Sequence, residues 1–245
     1  MISVITPAHN EELFIKKCLC SVKAAAGEVS EPVEHVVVLN RCTDRTGEIA
    51  TRWGARITID DSRNLSRTRN RGVEVSKGDI LVTIDADSQM TSNMLREILQ
   101  KLQSGKYIGG GARIVPERIS FGIICSLLVL APFVLRHGVS AGMFWCFRKD
   151  YEAIGGFDEN LPCIEDIEFG KRLKRFGKNL GKRYGTIRKA HIITSCRKFD
   201  QFGDWYFLRH PTVVCKIFKG DPKQADQFYY DPRSKITEQD ISVDD

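Results

Sequence analysis

The chain has 245 residues, of which 42% are hydrophobic and 28% are charged, and these proportions exclude disordered and fibrous proteins. Its length suits one large α/β domain or two small ones. The net charge of +6 is compatible with an anionic ligand such as a nucleotide, or with an anionic membrane surface.

The first 115 residues alternate between predicted strands and helices. A short apolar strand covers Ser3–Thr6, and Asn10 is expected to cap a helix whose first turn holds Glu11 and Glu12. The later elements of this half are strands at 35–39, 55–59 and 80–84, and helices that end near Trp53, cover about 65–75 and begin at Thr91 or Ser92. This order predicts a single doubly wound α/β sheet flanked by helices.

An uncharged segment at 119–135 opens the second half of the chain. Its length, about 17 residues, lies at the lower limit for crossing a membrane. Gly122 and Pro132 weaken a spanning interpretation. Three hypotheses stay open: a buried or acceptor-lining helix, a helix on a membrane surface, or a true span.

The rest of the second half is less regular. A strand is predicted at Met143–Phe147, and helices are predicted at about 165–176 and 199–208. Nine lysines and arginines and no acid lie from Lys171 to Lys189, which indicates a solvated basic surface or a contact with phosphate or anionic lipid. Residues 219–245 are polar and lack periodicity, so a mobile tail is expected after one domain at 1–218.

Polar residues cluster where three predicted strands end. PAHNEE follows the first strand, NRCTDRT follows the second, and Asp85-Ala86-Asp87 follows the strand at 80–84. Ligands of doubly wound sheets bind beyond the carboxyl ends of the strands. In extended geometry Asp85 and Asp87 face the same side, where two carboxylates are able to hold Mg²⁺ or Mn²⁺ through a substrate's phosphates. The alternative is a solvated loop.

Three further features are candidates for chemistry. Glu165 and Asp166 begin a predicted helix, where they complement the helix dipole or supply a general base. Arg67 and Arg71 share one face of a predicted helix and Arg69 does not, so at most part of this set can reach one phosphate. His191 is a candidate third metal ligand or a structural histidine.

Together these segments resemble the family 2 glycosyltransferases, which are inverting enzymes of the GT-A fold. The similarity covers about residues 2–200. It is carried by ISVITPAHNEE, VVVLNRCTDRTGEIA, SRTRNRGVEVSKGDILVTIDADS, GMFWCFRKDYEAIGGFDENLPCIEDIEFGKRLKRFGK and TSCRKF. The resemblance implies a nucleotide-sugar half at 1–115, an acceptor half at 116–218, a Mn²⁺ or Mg²⁺ ion, and a glycan or lipid-linked acceptor, as in polysaccharide or glycolipid biosynthesis.

The resemblance also implies roles at matching positions. Asp166 would be the general base with Glu165 beside it, and Asp87 would coordinate the metal. The GGFDE turn would shape the acceptor side. The residues expected at the nucleotide sugar are Pro7, Ala8, Asn10, Glu11, Asn40, Asp44, Arg69, Asp85 and Ala86.

One departure from the family concerns the nucleotide base. The family often has two aspartates where this chain has Leu39 and Asn40. Asparagine offers a donor as well as an acceptor. A uridine donor is therefore not implied by the resemblance.

Other functional classes lack their signatures. The first strand is not followed by GxGxxG or by a Gly-rich phosphate loop, and no P-loop motif is present. No nucleic-acid-binding module is recognised. The alternative function is a catalytically degenerate protein that binds nucleotide sugars. With eight cysteines, no CxxC pair and no visible secretory signal, we expect reduced thiols and a cytoplasmic location, with peripheral contact at the cytoplasmic face of an anionic membrane.

Overall fold

The computed structural model describes residues 1–137, 139, 142–161 and 164–210. Its strands are β1 (Ile2–Ala8), β2 (Val33–Leu39), β3 (Arg56–Ile59), β4 (Ile80–Ile84), β5 (Ser88–Met90), β6 (Tyr107–Pro116), β7 (Met143–Phe147) and β8 (Arg183–Thr194). Its helices are α1 (Ile15–Ala26), α2 (Thr46–Arg52), α3 (Leu65–Val75), α4 (Met94–Gln103), α5 (Phe121–His137), α6 (Arg148–Ala153), α7 (Glu165–Asn179), α8 (Arg197–Phe202) and α9 (Tyr206–Arg209).

The strands form one mixed sheet in the order β3-β2-β1-β4-β7-β6-β8-β5. Strands β3, β2, β1 and β4 are parallel, and β7 runs antiparallel to both β4 and β6. Because β8 is parallel to β6, β8 ends at the same edge as β1, β2 and β4. The structure confirms the predicted α/β sheet, and we call this common edge the carboxyl edge.

The core lies on both faces of the sheet because neighbouring strand residues point to opposite sides. Val4 and Trp145 are fully buried on one face, among residues of α1 and α4. Ile5 and Phe144 are buried on the other face, against α3 and α7. The buried residues of both faces fix the register of the central strands, and hence the positions of the loops at the carboxyl edge.

The predicted helix cap at Asn10 is wrong. Helix α1 begins at Ile15 and has no acidic residue in its first turn. Asn10 instead has a φ of 50°, and its Oδ1 accepts a hydrogen bond from the Thr43 amide at 2.8 Å. The side chain thus joins the loops that follow β1 and β2, and this contact between distant segments replaces the local cap.

The segment at 119–135 falls mainly in α5, which has 17 residues. Within the described ranges, no helix combines the length and apolar character needed to cross a membrane. The helix predicted at 199–208 is divided into α8 and α9 near Gly203, which has a φ of 87°. The predicted tail at 219–245 lies outside the described residues.

Candidate active site

Arg69 lies at the centre of an acid cluster at the carboxyl edge. Its side chain is only 2% exposed, and it lies 5.2 Å from the centre of the Phe157 ring. Its guanidinium lies 3.0 Å from Asp85 Oδ1, 3.0 Å from Glu165 Oε1 and 2.9 Å from Asp166 Oδ1. One arginine therefore joins α3, the end of β4 and the start of α7.

The position of Arg69 follows from the close packing of α3 on the sheet. Gly72, one turn further along α3, is buried, and a Cβ there would lie 2.4 Å from Ile5 Cγ2. The absence of that Cβ lets the helix approach β1, so Arg69 on the same face is buried as well. Arg67 and Arg71 are exposed, which accords with the predicted division of these arginines between two faces.

The two aspartates that follow β4 lie in a tight turn. The Ser88 amide donates to the Asp85 carbonyl at 3.0 Å, so the extended geometry expected for this motif is wrong. Asp85 contacts Arg69, whereas Asp87 Oδ2 lies 2.8 Å from Arg197 Nη2. The two carboxylates thus pair with different guanidinium groups at one edge of the sheet.

Burial changes the acidity of two carboxylates in this cluster. It raises the pKa of Asp85 to about 6, with Arg69 opposing the change and Asp166 and Asp87 adding to it. Burial also raises the pKa of Asp166, opposed by Arg69 and reinforced by Glu165. A higher pKa makes a carboxylate a stronger base, provided that it stays ionised.

The start of α7 presents Glu165 and Asp166 toward the cluster. Ile164 has a φ of 59°, and the two acids occupy the first helical turn, where the helix dipole favours negative charge. Asp166 Oδ2 accepts a hydrogen bond from the Gly142 amide at 3.2 Å. This bond fixes the carboxylate relative to the start of β7.

Arg197, at the start of α8, is a candidate functional residue for which the sequence predicted no role. Its Nη1 donates to Glu11 Oε2 at 2.6 Å, and its Nη2 donates to Glu11 Oε1 at 3.0 Å. The two residues are 186 positions apart in the chain, and no local pattern connects them. The single signal was the position of Arg197 within TSCRKF.

The loops after β1 and β2 form the side of the site where the nucleoside is predicted to bind. Asp44 Oδ2 accepts from the Glu12 amide at 3.0 Å, and Asn10 accepts from Thr43. Asp44 and Asn10 therefore brace the two loops against each other. The other residues predicted here are buried at the ends of β1 and β4, namely Pro7, Ala8 and Ala86.

Asn40 is 7% exposed and is used as a donor within the protein. Its Nδ2 donates to the Asp60 carbonyl at 2.9 Å, to Asp60 Oδ2 at 3.2 Å and to Thr68 Oγ1 at 3.1 Å. An aspartate at position 40 would have no N–H group to donate to Asp60 and would place a second carboxylate beside that of Asp60. The departure from the family's usual aspartate thus has a structural reason.

His191 lies on β8, four residues before Ser195. Its backbone amide donates to Thr91 Oγ1 at 3.2 Å, while the Ser195 amide donates to the carbonyl of Asp87 at 3.1 Å. Four residues of extended chain separate His191 from Ser195, a distance of about 13 Å. Among the described residues, the imidazole belongs to no group of three or more potential metal ligands, and its role as a third ligand stays a prediction.

The charges of the cluster are suited to a divalent cation. The site has five acids and two arginines, namely Glu11, Asp85, Asp87, Glu165 and Asp166 with Arg69 and Arg197. In the described part of the chain, no group of three or more His, Cys, Asp or Glu side chains forms a complete metal cage. Mg²⁺ is often held by one or two carboxylates together with substrate phosphates. Asp87 and Asp85 fit that kind of shared site.

Comparisons with known proteins point to one family. The family model described as Glycosyl transferase family 2 matches residues 3–123. Glycosyltransferase AglE of Haloferax volcanii is 38% identical over 221 residues, which cover 83% of this chain and 68% of AglE. An undecaprenyl-phosphate 4-deoxy-4-formamido-L-arabinose transferase of Pseudomonas aeruginosa is 27% identical over 176 residues, covering 69% and 52% of the two chains. This chain spans about half or less of the length of the first curated relatives it matches.

A solved structure supports the fold. The mannosyltransferase PcManGT of Pyrobaculum calidifontis, in complex with GDP-Man and Mn²⁺, superposes with a TM-score of 0.60 at 17% identity. The superposition covers 91% of this chain and 69% of PcManGT. The predicted GT-A fold is confirmed by this likeness, which at such low identity concerns the fold alone.

Proposed function

This chain belongs to glycosyl transferase family 2, and on that premise we propose that it transfers a sugar from a nucleotide-diphosphate donor to an acceptor hydroxyl. The observation that carries the proposal is the meeting of Asp85, Glu165 and Asp166 around the buried Arg69. These groups come from three segments and lie at the carboxyl edge, where doubly wound folds bind their ligands.

Asp166 is the proposed general base. Its carboxylate takes the proton of the acceptor hydroxyl as the hydroxyl oxygen forms a bond to the anomeric carbon. The hydroxyl attacks from the face opposite the diphosphate, and the bond from that carbon to the diphosphate oxygen breaks, so the configuration inverts. Arg69 and the Gly142 amide orient the carboxylate, and its raised pKa favours proton uptake.

The nucleotide diphosphate is proposed to lie between the loops after β1 and β2 and the turn after β4. Asp87, with Asp85 beside it, would hold Mg²⁺ or Mn²⁺, which when bound neutralises charge on the leaving diphosphate. We leave His191 out of this proposed ligand set, because about 13 Å of strand separates its backbone from that of Ser195, which bonds to the Asp87 carbonyl.

The proposed acceptor is lipid-linked, and the exposed face of α5 supports this choice. Phe121 is 73% exposed, Leu128 is 65% exposed and Ile124 is 44% exposed. Exposed apolar side chains grouped on one helix mark a surface that contacts a membrane or another protein. We place the protein at the cytoplasmic face of a membrane, with the outer face of α5 toward the lipid.

The first test is nucleotide release from a panel of UDP-, GDP- and dTDP-sugars, with Mn²⁺ or with EDTA. The acceptors to supply are polyprenyl phosphates and lipid-linked glycans. Metal-dependent release of one nucleotide is expected, and Asp166→Asn and Asp87→Ala are expected to lower its rate at least about a hundredfold. Asp79→Asn is the matched control, because Asp79 is an exposed acid at the start of β4, far from the carboxyl edge.

Two outcomes would contradict this function. Equal rates for Asp166→Asn and the wild-type protein would remove Asp166 from the chemistry. A donor that raises the melting temperature but is never turned over with any acceptor would favour the alternative, a catalytically degenerate protein that binds nucleotide sugars. The anomeric proton coupling of the product, measured by NMR, tests inversion separately.

A further inference from the structure

Arg197 is a buried cation held in place from two sides. Its side chain is 11% exposed, and the Glu11 side chain that it binds is 3% exposed. Two parallel hydrogen bonds join the guanidinium to the Glu11 carboxylate, and the guanidinium lies 5.1 Å from the centre of the Phe14 ring. A two-pronged pair stacked on an aromatic ring has one preferred orientation.

That orientation directs Nη2 at Asp87. The Nη2 to Oδ2 distance is 2.8 Å, so Arg197 and Asp87 form an ion pair. The other oxygen, Oδ1, receives a contact from Ser88 Oγ at 3.5 Å. One of the two oxygens of the proposed metal-binding acid is therefore already bound to a cation of the protein itself.

A divalent ion at Asp87 and the guanidinium of Arg197 are like charges that share one carboxylate. Their repulsion, and the loss of Oδ2 as a ligand, both weaken the binding of a free ion. A nucleotide diphosphate brings negative oxygens that pair with the ion and with the arginine at the same time. Binding of the diphosphate would therefore allow the divalent ion and the Arg197 guanidinium to lie in the site together.

We propose that Arg197 sets the order of binding, by occupying Asp87 in the free protein so that a divalent ion binds tightly only together with a nucleotide diphosphate. This inference rests on the proposed function, since it takes Asp87 as the acid that holds the ion. It assigns to Arg197 a role in ligand binding.

The test is a titration with Mn²⁺, followed by electron paramagnetic resonance, without and with UDP or GDP. Wild-type protein is expected to bind Mn²⁺ weakly alone and more tightly with the nucleotide that it prefers. Arg197→Gln is expected to bind Mn²⁺ alone roughly tenfold more tightly, and the enhancement by nucleotide is expected to shrink by a similar factor. Arg197→Met is the second variant, because the straight side chain of methionine is expected to keep the packing against Phe14.

Arg118→Gln is the matched control for a general loss of positive charge. The Arg118 amide contacts Cys196, next to Arg197, but its guanidinium pairs with Asp200 and Asp204. Its Mn²⁺ affinity is expected to equal that of the wild-type protein. An equal gain in Arg118→Gln and Arg197→Gln would overturn the inference, as would folded Arg197 variants that bind Mn²⁺ no more tightly than the wild-type protein.

The titration uses no sugar donor, so its result is separate from the test of sugar transfer. If the Mn²⁺ affinities of the variants change as expected but no sugar donor releases its nucleotide, the inference on Arg197 stands and the transfer reaction is rejected. Sugar transfer that needs no metal, with no Mn²⁺ binding in any variant, would overturn the inference and leave the transferase class standing.

Discussion

Arg69 shows how much of the site depends on a single side chain. Its guanidinium contacts three carboxylates while being almost fully buried. Removing one partner of a buried ion pair leaves uncompensated charge, which destabilises proteins by about 3–5 kcal/mol. Arg69→Met is therefore expected to lower the free energy of unfolding in urea by about this amount. The contacts that make Arg69 a candidate at the active site are also contacts that hold α3, β4 and α7 together.

The control for this change lies on the same helix. Arg71 is 46% exposed and pairs with Glu74 at the surface. Exposed pairs contribute little, so Arg71→Met is expected to change the free energy of unfolding by less than about 1 kcal/mol. Similar losses for Arg69→Met and Arg71→Met would show that the buried cluster is not what Arg69 stabilises.

His35 offers a pH-dependent test at the same scale. It is half-buried on β2, its Nε2 lies 2.9 Å from Thr6 Oγ1, and burial lowers its pKa from 6.5 to about 4. The unfolded chain therefore takes up a proton before the folded protein does. The contribution of His35 to stability is complete above pH 6.5 and is lost as the pH falls toward 4, by up to about 3 kcal/mol.

His35→Gln isolates this contribution, because glutamine keeps a polar group near Thr6 and does not titrate. Urea unfolding at pH 7 and at pH 4.5 is expected to show a smaller loss of stability on acidification in the variant than in the wild-type protein. Equal losses in the two proteins would mean that other groups, such as the paired carboxylates, account for the whole acid sensitivity.

Individual elements differed in how well the sequence predicted them. The apolar runs at β2 and β4 are buried on both faces, so their composition alone identified them.

Two strands of the second half of the sheet were not predicted. Strand β6 was missed because Gly109, Gly110 and Gly111 resemble a loop. A Cβ at Gly110 would lie 1.7 Å from the Gly185 carbonyl, so those glycines allow β6 and β8 to pack closely. Strand β8 was missed because its exposed positions carry the basic residues of the run from Lys171 to Lys189.

Helix α5 provides the test of membrane contact at the scale of one element. Phe121 and Leu128 are exposed on α5, and Phe121 packs edge-to-face against Trp205 at 5.8 Å. Burying an apolar side chain contributes about 1.5–3 kcal/mol, and each 1.4 kcal/mol is a factor of ten. Phe121→Asp and Leu128→Asp are each expected to weaken sedimentation with anionic phospholipid vesicles roughly tenfold.

Leu180→Asp is the matched control for these changes, because Leu180 is 51% exposed just after α7. It is expected to sediment with vesicles as the wild-type protein does. If the wild-type protein does not bind the vesicles, or if all three variants lose binding equally, α5 is not the membrane-facing element.

At the scale of the whole molecule, the order and direction of the strands in the sheet bring the site residues together. Glu11, Arg69, Asp87, Asp166 and Arg197 come from five different connections, each of which reaches the carboxyl edge. The sequence predicted the first four as site residues: Glu11 and Asp87 follow predicted strands, and the roles of Arg69 and Asp166 were implied by the family resemblance. It could not predict the ion pair between Glu11 and Arg197, because that contact depends on β8 lying parallel to β6 after two antiparallel steps across β7.

Because the ligand site draws on so many segments, ligand binding is expected to stabilise the entire fold. A ligand that binds only the folded state at a hundred times its dissociation constant adds about 2.7 kcal/mol. We therefore expect the preferred nucleoside diphosphate with Mn²⁺ to raise the melting temperature by several degrees. The same nucleoside without phosphates should give little change, since the charge of the diphosphate is what the edge is proposed to bind.

EDTA should remove most of the increase in melting temperature, and Asp87→Asn should abolish the part of the increase that EDTA removes. An equal increase in melting temperature with Mn²⁺ and with EDTA would show that the nucleotide binds without the metal, and it would contradict the metal-binding role proposed for Asp87.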